Sequence, residues 1–164
     1  YIDRVLWVSS YFGMCRYDGR NWRGFFEHET GLPSDFGNAV KGRDANEAWF
    51  ATDKGVGVVA DFPSDTWVTY TMDPKTHRGI AVVSRNKREI EVNITPKGIP
   101  HNYALWTEVD GNDVWVGTSK GIGYAKGTGY YKGLRDRPTH TTAKSRIESG
   151  RTDRPETHAR KQSK

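Results

Sequence analysis

The side chains able to do chemistry in this chain are few and scattered. His28, His77, His101, His140 and His158 fall at no metal-ligand spacing, so no metal site is expected. The single cysteine, Cys15, rules out an internal disulfide, and without a Cys-x-x-Cys-His run covalent haem is excluded. Its expected role is that of a small buried hydrophobe. Asp110-Gly111-Asn112-Asp113 starts like a calcium loop but lacks the later Gly and Glu, and reads as a turn. Asn93-Ile94-Thr95 matches the glycosylation sequon, with Pro96 following. No nucleophile elbow, phosphate-cradling Gly-rich loop or kinase set is present, and no cofactor is expected. What remains is Asp35, His101 and Glu108, residue types suited to general acid–base work, with Trp106 able to stack a ligand. Their spacing demands no site by itself, so their meaning depends on the elements that carry them.

Those elements are short strands. Only 35% of the 164 residues are hydrophobic, yet 12% are aromatic and 18 are glycine. Few aliphatics with many aromatics and glycines favour strands and tight turns over helices. No apolar run is long enough for a membrane-spanning helix. The chain opens at Tyr1 with neither Met nor leader, which reads as a processed or truncated product. The net charge is +5, but it is not spread evenly. Residues 132–164 hold ten Lys/Arg against four Asp/Glu, hence +6, and residues 1–131 hold 15 against 16, hence −1.

The body repeats itself. Leu6-Trp7-Val8-Ser9-Ser10, Ala48-Trp49-Phe50-Ala51-Thr52 and Val114-Trp115-Val116-Gly117-Thr118 align without gaps. In each, Ser or Thr follows the Trp by three and a Gly follows it by six: Gly13, Gly55 and Gly121. A short apolar or aromatic segment comes next, and a further aromatic recurs at Trp22, Trp67 and Tyr130. Upstream, Gly31-Leu32-Pro33 and Gly98-Ile99-Pro100 each precede one more strand-like piece, Phe36–Lys41 and Tyr103–Val109. One unit is therefore four short strands. Trp7 to Trp49 is 42 residues, and four strands in that period are the signature of a β-propeller blade. The longer step to Trp115 carries extra chain, residues 71–97, with strand-like runs Ile80–Ser84 and Glu89–Ile94 around Arg85-Asn86-Lys87-Arg88. This reads as a β-hairpin inserted on the outer edge of a blade.

Gly-Leu-Pro-Ser, then Trp-Val-Gly-Thr, then Gly-Ile-Gly, resembles the two-component regulator propeller repeat over roughly residues 3–131. The best copy is Gly98–Lys126; the first departs most, with Ser9-Ser10 and Met14-Cys15. The resemblance implies an all-β fold, a β-propeller segment of about three four-stranded blades (3–25, 31–70 and 98–131), and an extracytoplasmic sensor or scaffold module, often of sugar-responsive bacterial regulators. Trp7, Trp49 and Trp115 are expected in the core between blades. Trp22, Trp67 and Trp106 lie off that position. Propeller lyases place a His and acidic residues around the central channel, so Asp35, His101, Trp106 and Glu108, on or near innermost strands, are the channel-side candidates for ligand binding.

The first blade lacks its innermost strand, and three blades fall short of the roughly four to eight of closed propellers. The expected state is a fragment of a larger propeller, with completion by another chain or by copies of this one, or an open arc, as alternatives. Each leaves apolar faces to cover, so a protein partner or the missing blades are expected, and the isolated chain should not behave as a compact, stable monomer. Residues 132–164 have almost nothing to bury and read as an irregular basic tail. If ordered, the tail would lie on an acidic surface through Arg135, Arg137, Lys144, Arg146, Arg151 and Arg154. Nucleic acid is not the expected partner, because no aromatic lies beyond Tyr131 to stack a base. The expected function is non-catalytic binding or scaffolding within a larger assembly. A carbohydrate-sensing propeller feeding a kinase is the runner-up, and a propeller lyase the third reading.

Overall fold

The computed structural model describes residues 1–127. The expected basic tail and Tyr130 lie outside the described residues. The fold is all-β, with three antiparallel sheets. The first holds β1 (Leu6–Ser10), β2 (Gly13–Tyr17) and β3 (Trp22–Phe25). The second holds β4 (Gly37–Gly42), β5 (Ala48–Thr52), β6 (Gly55–Asp61), β7 (Thr66–Met72), β8 (Gly79–Arg85) and β9 (Arg88–Thr95), in that spatial order. The third holds β10 (Ala104–Asp110), β11 (Asp113–Thr118) and β12 (Gly121–Ala125). The one helical element among the described residues is a 3-10 turn, Glu27–Glu29.

The spacing of Trp, Ser/Thr and Gly in each copy is the chemistry of one hairpin. Ser10 pairs with Gly13, Thr52 with Gly55 and Thr118 with Gly121, each across a two-residue turn. In each, the hydroxyl donates to the Gly carbonyl at 2.8 Å. It also accepts the amide two residues on, from Phe12, Lys54 and Lys120, at 3.1, 3.2 and 3.3 Å. One hydroxyl thus satisfies both orphaned backbone groups of the turn. The three glycines take φ of 94°, 142° and 132°, a region closed to most L side chains.

The Gly-(Leu/Ile)-Pro segment has an equally local reason. Pro33 lies over Gly57 and Pro100 over Gly123, so a Cβ at those glycines would stand 3.0 Å and 3.1 Å from the proline Cδ. The Gly-x-Gly of the third strand in each complete unit is the flat floor on which the entering chain crosses.

The second sheet is sandwiched between the other two. β4 touches β1 on one side and β10 on the other. β5 is buried along its whole length, and its alternate side chains enter different cores. Ala48 and Phe50 join Trp7, Met14, Phe25, Leu32, Val59 and Trp67 against the first sheet. Trp49 and Ala51 join Val56, Val58, Val68, Val114 and Val116 against the third. A strand covered on both faces must be apolar at every position, and Ala-Trp-Phe-Ala meets that demand without period-2 alternation.

The inserted hairpin is β8–β9. Its two-residue turn, Asn86-Lys87, has φ of 48° and 66°, the paired positive values of a type I′ turn that matches strand twist. β8 pairs with β7 along its full length, from Thr66↔Arg85 to Met72↔Gly79, so the insertion widens the second sheet to six strands. Among the described residues, β9 is that sheet's outer edge.

Candidate functional site

The four channel-side candidates are each held by a local contact. Asp35 Oδ1 accepts the Glu27 amide at 2.6 Å. Glu108 on β10 pairs with Lys41 on β4 at 2.5 Å, both half-exposed. His101 Nδ1 accepts the Tyr103 amide at 3.1 Å and lies 2.8 Å from Ser119 Oγ. Acceptance at Nδ1 places the neutral ring's proton on Nε2. Ser34 does the same work in the preceding unit, where its hydroxyl accepts the Phe36 amide at 3.1 Å. No hydrogen bond or ion pair joins any two of Asp35, His101 and Glu108. Among the described residues, no three His, Cys, Asp or Glu side chains gather into a metal-binding cluster, and no helix is long and apolar enough to cross a membrane.

Trp106 stands with Glu108 on one face of β10. The register sets them opposite Gly117 and Trp115, which in turn face Ile122 and Tyr124. Glu108, near the innermost edge, reaches Lys41 of the second sheet; the rest of this face is open among the described residues. Trp106 is 46% exposed, Tyr124 54% and Ile122 73%. The other face carries Ala104, Thr107, Val114, Val116 and Thr118, all buried.

The repeat tryptophans follow that geometry. Trp7 and Trp49 are buried, at 6% and 3% exposure, each turned toward the next sheet in the chain. Trp115 is only half-buried, short of the burial expected for it. Its ring rests on Tyr124 at 5.1 Å, and among the described residues no further sheet covers it. Cys15 is likewise half-buried, short of the burial expected for it, because on β2 it alternates with the buried Met14 and Arg16. Asp110–Asp113 is the β10–β11 turn, with Gly111 at φ 55°.

A polar pair anchors the β11–β12 edge of this face. Tyr124 Oη donates to Asp113 Oδ2 at 2.6 Å, and the Gly127 amide donates to Oδ1 at 2.9 Å. These two bonds, with Lys126 nearby, hold the Asp113 carboxyl below the usual carboxylate range. The same carboxylate, through that hydrogen bond first, pushes the Tyr124 phenol up.

A cleft of about 350 Å³ lies between the second and third sheets. Its apolar wall includes Trp49 and Tyr70, stacked at 5.6 Å with planes 6° apart. Thr71, Asn93 and Thr95 give it hydrogen-bonding groups.

Several contacts that position these surfaces were not visible in the sequence reading. Asn102 clamps the end of β7, accepting the Met72 amide at 2.6 Å and donating to its carbonyl at 2.9 Å. Arg16, buried, lies 4.2 Å over the Phe62 ring and donates to the Ala45 carbonyl at 3.0 Å. Glu47, buried, pairs with Arg43 at 3.0 Å and accepts the Trp49 indole at 2.9 Å. The Pro33-Ser34 and Pro100-His101 alignment carried a usable signal, since it sets His101 at a turn position that a serine fills in the other copy. No protein-family model matches this chain, and none of the curated proteins matches it.

Proposed function

We propose that this chain is a segment of a β-propeller of the two-component-regulator kind, a non-catalytic binding or scaffolding module in a larger, extracytoplasmic assembly. One observation carries the reading. Each sheet turns its Trp face onto the back of the next: Trp7 onto the second sheet, Trp49 onto the third. Trp115, Trp106, Ile122 and Tyr124 present the same kind of face with nothing on it among the described residues. An aromatic patch of this kind is a contact surface or a liability. Passive presentation needs only that the face be rigid, and the buried Val114 and Val116 beneath it supply that.

The test is site-specific photocrosslinking in the native extract. A crosslinker at Ile122 should give one discrete protein adduct, while one at Lys75, exposed on the β7–β8 turn, should give none. No adduct from either position, or the same smear from both, would refute the scaffold reading.

A second reading, a propeller sensing carbohydrate fragments, draws on the cleft. Sugar rings lay C–H faces on aromatic walls and need a few hydrogen-bonding groups around them, as Tyr70, Thr71, Asn93 and Thr95 would offer. An oligosaccharide panel should then raise the melting temperature in wild type and not in Tyr70→Ala.

A further inference from the structure

The six-stranded width of the second sheet has no part in the reading above. β9 ends that sheet with an eight-residue strand, and among the described residues no further strand lies on its outer side. Ile90, Val92 and Ile94 are 50%, 53% and 58% exposed, while Glu91 and Asn93 between them are half-buried. An edge strand with a β-branched apolar stripe is a template for another strand. Natural edges are guarded by Pro, bulges and charge; here the bulge and the Pro sit toward the two ends, and Glu91 is the one charge in the stretch between them. The pairing with β8 steps from Val83↔Glu91 to Ser84↔Glu89, leaving Ile90 as a bulge. Pro96 follows the strand. Between them, Glu91–Thr95 is regular, and it is centred on Asn93.

We propose that β9 pairs antiparallel with β9 of a second copy of this chain, with Asn93 on the twofold axis, making one continuous sheet of twelve strands. The register follows from the residues. About Asn93, Val92 meets Ile94 of the other copy twice, Glu91 meets Thr95 twice, and the two Asn93 amides face each other. Beyond the regular segment the chain bends at Pro96 and carries the Lys97 carbonyl back to Gly79 on β8, so the ladder ends there. The bulged Ile90 comes opposite Pro96, which has no amide to give. No like charges oppose each other. Centring on Glu91 would put the two Glu91 carboxylates face to face, which is destabilising. Centring on Val92 would carry the ladder through the bulge at Ile90. An isologous contact of this kind closes as a dimer.

Disulfide trapping on the full chain tests both the contact and its register, in a Cys15→Ser background. Directly opposed Cα atoms in an antiparallel pair lie about 4.5–5.5 Å apart, within disulfide reach, while positions one register step off lie beyond about 7 Å and cannot bridge. Asn93→Cys should therefore form a covalent dimer. Val92→Cys and Ile94→Cys should fail alone and crosslink when mixed. By light scattering, the wild-type mass should rise toward two chains as concentration goes from about 1 to about 100 μM. Val92→Lys, at an exposed position that leaves the core intact, should weaken that association roughly tenfold or more. The proposal is overturned by a single-chain mass throughout, whether or not another segment protects the β9 amides from exchange. It is equally overturned by association that survives Val92→Lys, or by crosslinks as ready at Val92 alone as at Asn93.

Discussion

The indole of Trp7 lies across Gly42, the last residue of β4. A Cβ at Gly42 would stand 2.7 Å from the indole Cδ1, and the indole N–H donates to the Asp44 carbonyl at 3.1 Å. The ring also packs on Phe25, Phe50 and Phe62. This is the seam between the first and second sheets, and it has no slack. Gly42→Ala should cost about 1–3 kcal/mol, the range for overpacking a close contact. Trp7→Ala should cost about 3–5 kcal/mol. Urea unfolding followed by tryptophan fluorescence measures both, and a neutral Gly42→Ala would show that the seam can open.

The repeated hairpin separates burial from bonding. Thr52 is fully buried while Ser10 is exposed, and both make the same two bonds. Thr52→Val leaves the Lys54 amide and Gly55 carbonyl without their partner and should cost about 1–3 kcal/mol. Thr52→Ser should restore most of it. Ser10→Ala should fall within about 0.5 kcal/mol of wild type, since water takes over at an exposed turn. Equal losses at the two sites would mean that the turn, not its burial, sets the cost.

His101 offers a clean separation of structure from ligand binding. Because Ser34 caps the same turn one unit earlier, His101→Ser should stay within about 0.5 kcal/mol of wild type. His101→Ala should lose about 0.5–1.5 kcal/mol, the worth of a hydrogen bond. A binding or catalytic activity that disappears in a stable His101→Ser chain would show that the ring does more than cap.

The Asp113–Tyr124 pair predicts a pH window for the β11–β12 edge. The Asp113 carboxyl titrates below its unfolded value, so its contribution is present above about pH 4 and is lost as acid protonates the folded form. The Tyr124 phenol titrates above its unfolded value, so its contribution is present below about pH 10 and is lost as base ionises it. Hydrogen exchange of the β12 amides, corrected for intrinsic rates, should show greatest protection between those limits. Tyr124→Phe should abolish the alkaline loss and move the acid limit upward; a profile unchanged by that substitution would remove the pair from the account.

How much of this was legible in the sequence differs from element to element. Gly13, Gly55 and Gly121 could be placed at turn exits because positive φ is a property of one residue and its neighbours. The Trp, Ser/Thr and Gly spacing, the turn at Asp110–Asp113 and the inserted hairpin at Asn86-Lys87 are local in the same sense, and they determined an all-β chain of three sheets. What a face touches is not local. Trp49 and Trp115 sit in near-identical pentapeptides, yet the first is buried by the third sheet and the second is half-open, because burial depends on what packs opposite. His101 could be read from sequence as a channel-side candidate, but only the placement of Tyr103 and Ser119 around its ring shows that it also caps a turn. Arg16, a cation in sequence, is buried because Phe62, 46 positions along the chain, arrives over it. The tertiary structure decided these cases because stacking, burial and ion pairing depend on distances between atoms, which the order of residues along the chain does not contain.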